Sequence, residues 1–167
     1  IITPDVEATY GSAMPRFTGP FPTKPNMRFD GYWDEAEGGT RYYNADGTSA
    51  HIWDKTSNST LFAHYVEKTT TITLNPNGGS FSSGIENQSV TATYGQAMPL
   101  QTVDGQGLEK PVKEGFVFRG YFDDISHTTE AYKYYYSYLQ SAKNWDKNDA
   151  TYTLYAQWKP AEYTVSF

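Results

Sequence analysis

Three histidines and two pairs of adjacent carboxylates are the residues in this sequence best suited to moving protons. His51, His64 and His127 are candidate general bases, because imidazole titrates near neutrality. Asp34-Glu35 and Asp123-Asp124 could do glycosidic acid/base chemistry if their carboxyls stood about 5–9 Å apart. Neighbours on a strand point to opposite faces, however, which splits each pair. Asp54 and Asp146 each follow a Trp, and Asp146-Lys147-Asn148-Asp149 has oxygens enough to suggest Ca²⁺. Its spacing departs from the EF-hand pattern and the bidentate Glu is missing, so turn or cap chemistry accounts for it better. The absence of Cys excludes disulfides, thiol nucleophiles and Cys-ligated zinc. No catalytic residue, metal ligand or cofactor site is assigned on these grounds, and a hydrolase would need a pocket bringing His127 beside Asp123 or Asp124.

Aromatic side chains offer a different chemistry, that of contact surfaces. They make up 17% of the 167 residues, with 15 Tyr, and most are read as core because they recur at alternating positions. The run Tyr132, Tyr134, Tyr135, Tyr136 and Tyr138 is too dense for one face of a thin domain to hide. Tyr132, Tyr134, Tyr136 and Tyr138 are therefore the candidate binding patch for a protein or a carbohydrate.

A net charge of −6 would repel a phosphate backbone, which argues against nucleic acid and anionic membranes as partners. No run of 18 apolar residues is present, so no helical membrane span is expected in this segment. The opening Ile1-Ile2-Thr3-Pro4 has neither an initiator Met nor the features of a signal peptide, and the chain reads as an internal piece of a longer protein.

The elements that position these residues are repeated. Ala8–Pro15 recurs as Ala92–Pro99 with seven of eight residues identical, at an offset of 84. Phe29–Asp34 returns as Phe118–Asp123 at 89; Tyr42-Tyr43, Ser49-Ala50 and Trp53-Asp54-Lys55 return as Tyr134-Tyr135, Ser141-Ala142 and Trp145-Asp146-Lys147 at 92. Thr60–Tyr65 and Thr70–Leu74 return as Thr153–Trp158 and Tyr163–Phe167 at 93. An offset that grows only between motifs is what loop insertions produce. Hence residues 1–66 are a first copy without its opening strand, 69–159 a complete copy, and 163–167 the opening strand of a third. Val66–Thr69 and Lys159–Glu162 are short linkers of limited swing. The first copy has a vacant strand position, and Tyr163, Val165 and Phe167 of a neighbouring chain form a strand-addition edge able to fill it.

Within the complete copy, Thr70–Leu74 and Gln88–Thr93 alternate and form a hairpin, followed by a loop over Leu100–Lys113. Gly115–Phe122 alternates with Phe116, Phe118 and Gly120 on one face and Val117, Arg119 and Tyr121 on the other; Thr151–Trp158 is the last strand. Tyr132, Tyr135, Tyr136 and Leu139 have helical spacing, but Asp46-Gly47 at the matching place in the first copy is a turn signal. Extended structure near Tyr134–Tyr136 and at most a short helix around Ser141–Trp145 are expected. The fold class is mainly β, or α+β at most, with about four strands per unit.

The motif order, from the Asn75–Gly79 turn through Tyr94-Gly95…Met98-Pro99, the Gly115–Phe122 strand and Trp145-Asp146 to Thr153-Leu154-Tyr155-Ala156-Gln157-Trp158, resembles the Listeria–Bacteroides repeat, the internalin B-repeat family. The resemblance covers nearly the whole chain, and Thr153–Trp158 is its most specific part. It implies small β-grasp-like units in tandem, extracellular, in secreted or cell-wall-linked bacterial surface proteins, where they serve as stalk, spacer or adhesion modules without catalysis. Implied partners are neighbouring repeats and a host or cell-surface protein or glycan, with self-association by strand donation as a further route. Phe122 in place of Trp, His64-Tyr65 in place of Gln-Trp, and a longer stretch between Phe122 and Trp145 depart from the family pattern, and the last could carry a ligand preference of its own.

Overall fold

A computed structural model describes residues 5–167, and the chain divides into two compact units, Ile1–Lys68 and Thr69–Phe167. Residues 1–4, where the first copy is expected to open, lie outside the described residues. Both units are built from β-strands, and no α-helix occurs among the described residues.

The first unit holds strands β1 (Met27–Trp33), β2 (Arg41–Asn44) and β3 (Phe62–Glu67) in an antiparallel sheet of order β2-β1-β3. The second holds β4 (Thr69–Asn75), β5 (Gln88–Thr93), β6 (Phe116–Phe122), β7 (Lys133–Tyr135) and β8 (Thr151–Pro160) in the order β5-β4-β8-β6-β7. All its pairings are antiparallel except that β4 runs parallel to β8, from Thr71 beside Thr151 to Asn75 beside Tyr155. The units thus carry three and five strands, against about four expected of a complete unit and one fewer of the first, which lacks its opening strand.

Local chemistry explains the strands. β4 alternates Thr with Ile72 and Leu74, and both apolar side chains are fully buried, Ile72 opposite Val90 and Leu74 opposite Gln88 of β5. In β6 the simple alternation fails. An extra residue, Arg119, bulges between Phe118, which faces Trp158, and Gly120, which faces Gln157. The bulge turns Tyr121 to the same buried side as Phe118, against the expected alternation, and their rings meet edge to face at 5.1 Å. The same bulge occurs in β1 at Asp30, between Phe29 and Gly31. Ser141–Trp145 is not helical either: Ser141 and Asn144 make isolated bridges to Tyr135 and Ala97, and a single 3₁₀ turn lies earlier, at Glu130–Tyr132.

The hydrogen bonds of one unit recur in the other. Tyr43 Oη donates to the Pro15 carbonyl and Tyr135 Oη to the Pro99 carbonyl, both at 2.6 Å. Tyr42 Oη donates to Asp54, and Tyr134 Oη to Asp146. The Met14 and Met98 amides donate to Ser49 Oγ and Ser141 Oγ at 2.9 and 2.8 Å. The Gly11 and Gly95 amides reach the Trp53 and Trp145 carbonyls at 2.8 Å each.

The two cores differ in depth. That of the second unit joins Ile72, Leu74, Val90, Met98, Tyr121, Tyr135, Trp145 and Leu154. The first has Met14, Phe17, Tyr42 and Tyr43 buried, with Trp53 and Leu61 only partly covered.

Candidate functional site

The tyrosine segment emerges from the core of the second unit. β7 pairs with β6, and Lys133, Tyr134 and Tyr135 are all buried. Tyr134 therefore leaves the candidate patch: it is 1% exposed, packs on Trp145 and gives its hydroxyl proton to Asp146 Oδ1 at 2.5 Å. Burial first, then the hydrogen bond to Asp146, pushes its phenol far up. Burial works against ionisation of Asp146, but the bonds from Tyr134 and Lys143 outweigh it and hold that carboxyl below its usual range.

The other three tyrosines reach the surface. Tyr132 lies on the imidazole of His127, with ring centroids 3.9 Å apart and planes at 21°. Tyr136 and Tyr138 stack at 5.0 Å and 11°, and Tyr138 is 63% exposed. They sit on a tight turn in which the Leu139 amide bonds the Tyr136 carbonyl and Tyr136 bonds Gln140. The first unit makes the same turn with Asn44, Asp46, Gly47 and Thr48. Leu139 adopts φ 61° where that turn has Gly47 at 82°, so a branched side chain is held in left-handed space and packs on the core.

His127 does come beside Asp123. Its Nδ1 is 2.5 Å from Asp123 Oδ1, and Lys147 Nζ lies 3.4 Å from Oδ2 of the same carboxylate. Asp123 points inward while Asp124 is exposed, so the pair is split between two environments. Asp124 caps its own loop, accepting from the Ser126 amide at 2.8 Å and hydroxyl at 2.6 Å, which hold its carboxyl low. An open groove of about 540 Å³ is lined by Asp123, Asp124, Tyr152, Thr73, Thr151 and Thr153 among others, but His127 does not line it. The whole loop is fastened by Gln157, whose Nε2 donates to the carbonyls of Asp124, Ile125 and His127 at 3.2, 2.8 and 3.0 Å.

In the first unit the matching carboxylate, Asp34, keeps the contact with the corresponding lysine but has a main-chain amide where Asp123 has His127. It takes Lys55 Nζ at 2.7 Å and the Thr40 amide at 2.7 Å, which together hold it below the usual carboxylate range. His64 stands where Gln157 stands, stacks on Trp33 at 4.1 Å and bonds the Glu35 carbonyl at 2.8 Å through Nε2, which must then carry the proton. His51 lies against Tyr42 and bonds the Ile52 carbonyl. The three histidines are thus dispersed, and among the described residues no three His, Asp or Glu converge as a metal site would require.

The strand-addition residues lie beyond β8. Tyr163, Val165 and Phe167 belong to no strand and are exposed, Val165 by 73%.

Over 146 residues the chain is 31% identical to a protein of Evansella cellulosilytica described as "Putative Gly-rich membrane protein". The match covers 86% of this chain and 14% of that protein, so the chain spans about a seventh of the length of the curated relative it matches. No family model matches, and no solved structure matches. No helix of the chain among the described residues is long and apolar enough to cross a membrane.

The sequence reading missed the grip of Gln157 on the loop and the two aromatic stacks. A signal for the latter was present: Tyr134 and Tyr135 have tyrosine counterparts in the first copy and are buried. Tyr132, Tyr136 and Tyr138 fall opposite Thr40, Asn44 and Asp46 and are not.

Proposed function

We propose that this chain is a non-catalytic, extracellular segment of a bacterial surface protein, made of tandem β-grasp-like units of the Listeria–Bacteroides repeat type and acting as a load-bearing spacer. The observation that carries the reading is the parallel pairing of β4 with β8. These are the first and last strands of the second unit. A force that pulls the start of β4 away from the end of β8 slides two parallel neighbours past each other, so their hydrogen bonds are loaded together instead of one by one. Forced unfolding is governed by the barrier, and a ladder sheared as a whole raises it. The recurrence of the same hydrogen bonds in both units supports a repeated structural module, and the use of Asp34, Asp54, Asp123 and Asp146 in internal bonds supports a structural role for them. The relative's description as a membrane protein of a bacterium is in keeping with a surface location.

Stretching the chain by its ends gives two unfolding events, the weaker from the first unit and the stronger from the second. Thr73→Pro, which removes a ladder donor from β4, lowers the second towards the first. A second unit that yields no more force than the first counts against the spacer. A contact role has its own support in the stacked Tyr136 and Tyr138 on a turn that holds Leu139 at positive φ. If that role is real, the triple change Tyr132→Ala, Tyr136→Ala, Tyr138→Ala abolishes binding on a glycan array while leaving the melting temperature in place; if the wild type captures no glycan, it falls.

A further inference from the structure

The strands of the second unit give one face to the core, and the other face of β4 and β8 carries hydroxyls. Ile72, Leu74 and Leu154 are fully buried, whereas Thr71, Thr73, Thr151 and Thr153, which alternate with them, are exposed or half-buried. The parallel register sets Thr71 beside Thr151 and Thr73 beside Thr153, and Tyr155 continues the same face two residues on. Thr70, on the core side, commits its hydroxyl to the Asp149 carbonyl. The hydroxyls of Thr73, Thr151, Thr153 and Tyr155 form no hydrogen bond among the described residues.

The loop after β6 turns this face into a groove. Gln157 lies on the same side of β8 as Thr153 and Tyr155, and its clasp on Asp124, Ile125 and His127 holds that loop against the sheet. The groove of about 540 Å³ is bounded by Asp123 and Asp124 of the loop and by Thr73, Thr151, Thr153 and Tyr155 of the sheet. The two carboxylates differ. Asp123 is engaged on both oxygens, by His127 and Lys147, whereas Asp124 takes both Ser126 bonds on Oδ1 and has no partner for Oδ2 among the described residues. The groove therefore offers free hydroxyls and one uncompensated negative charge, and no cationic side chain lines it.

We infer that this groove binds a short glycan whose sugars carry free amino groups. Small-molecule sites of about 300–1,000 Å³ are mostly apolar, with a few polar groups that fix orientation. Here hydroxyls predominate, which suits a ligand that is itself a row of hydroxyls, each able to donate and to accept. The rings of Tyr152 and Tyr155 add apolar surface for the faces of the sugars. Asp124 selects the amine, because an ammonium gives it a charge-assisted bond while an anionic sugar is repelled. The clasp fixes Asp124 before the ligand arrives, so binding orders less of the chain. None of Tyr132, Tyr136 and Tyr138 lines the groove, so the site is separate from the stacked tyrosines and from the spacer role, and any of the three can fail alone.

The test titrates two oligosaccharides into the isotope-labelled intact chain and follows its amides by NMR. One is the chitosan tetramer; the other is cellotetraose, which has a hydroxyl where each amine stands. At a pH of about 5.5 the amines are protonated and Asp124, held low by its bonds from Ser126, is ionised. The chitosan tetramer shifts the amides of Thr73, Thr151 and Thr153 and binds about fivefold more tightly than cellotetraose, the upper end of what an exposed ion pair gives. Asp124→Asn, which keeps an oxygen for Ser126, brings the two ligands to equal affinity. Asp104→Asn, the same change of charge at an exposed position outside the groove, leaves the preference intact. Thr73→Val with Thr153→Val weakens both ligands by about tenfold, and valine keeps the strands in place. The triple change at Tyr132, Tyr136 and Tyr138 leaves binding as in the wild type. The inference is overturned if the wild type binds neither oligosaccharide at millimolar concentration or binds both equally, if the preference for the amine survives Asp124→Asn, or if the threonine variant binds undiminished.

Discussion

Replacing Gly120 by Ala unfolds the second unit and leaves the first folded. Gly120 sits in the β6 bulge at φ 118°, and a Cβ there would lie 2.1 Å from the Tyr135 carbonyl oxygen. Neither the backbone nor the oxygen can yield without separating β6 from β7 and withdrawing Tyr135 from the core. Left-handed strain alone costs about 1–3 kcal/mol, and the clash takes the total beyond about 4 kcal/mol, a large part of what holds a small domain together. Gly31→Ala does the same to the first unit, since its Cβ would meet the Tyr43 carbonyl oxygen at the same 2.1 Å. Gly115→Ala is the control: φ is 77° but nothing lies within 4 Å, so it costs only about 1 kcal/mol. Tryptophan fluorescence during urea unfolding reads the result, because Trp33 and Trp53 report on one unit and Trp145 and Trp158 on the other. A Gly120→Ala chain whose second unit melts like wild type would show that the bulge is not where the two strands are locked.

Trp145→Ala costs about 3–5 kcal/mol, while Trp53→Ala costs no more than about 2. The two residues occupy the same place in their units, so the contrast measures what surrounds them. Trp145 is fully buried, touches the rings of Tyr134 and Tyr152 at 5.2 and 5.5 Å, and donates Nε1–H to Thr70 Oγ1 at 2.9 Å. Thr70 lies on β4, and its hydroxyl passes the chain on to the Asp149 carbonyl. Removing the indole therefore leaves a cavity and breaks the link between the opening strand and the loop before β8. Trp53 has the ring of Tyr42 at 5.4 Å and is only partly buried against its core. Equal losses of unfolding free energy in the two variants would contradict this account.

Much of the fold could be read from residue spacing, and the failures have physical causes. β4, β5 and β8 follow the period of two because no residue is inserted within them. β6 does not, because alternation assumes one residue per step and Arg119 adds another; the glycine that follows, inside an apolar strand, was the available hint. The density of the tyrosine run suggests one patch, yet its members divide by whether the first copy also has Tyr. Tyr134 and Tyr135 fill positions that both units need, whereas Tyr138 occupies the place of an Asp on a turn. The approach of His127 to Asp123 had no signal in periodicity, since the loop between them is shaped by a side chain 30 residues further on.

That side chain has a consequence for how the loop can change. All three bonds from Gln157 end on carbonyl oxygens, which every amino acid carries. The clasp holds a path and is indifferent to the letters written along it. Ile125, its central residue, already points outward with most of its surface bare. A residue gripped only by its main chain can change its side chain without loosening, so Ile125, unlike Asp124, Ser126 and His127 whose side chains also hold the loop, is the position of this unit where new surface can be tried at least risk to the fold.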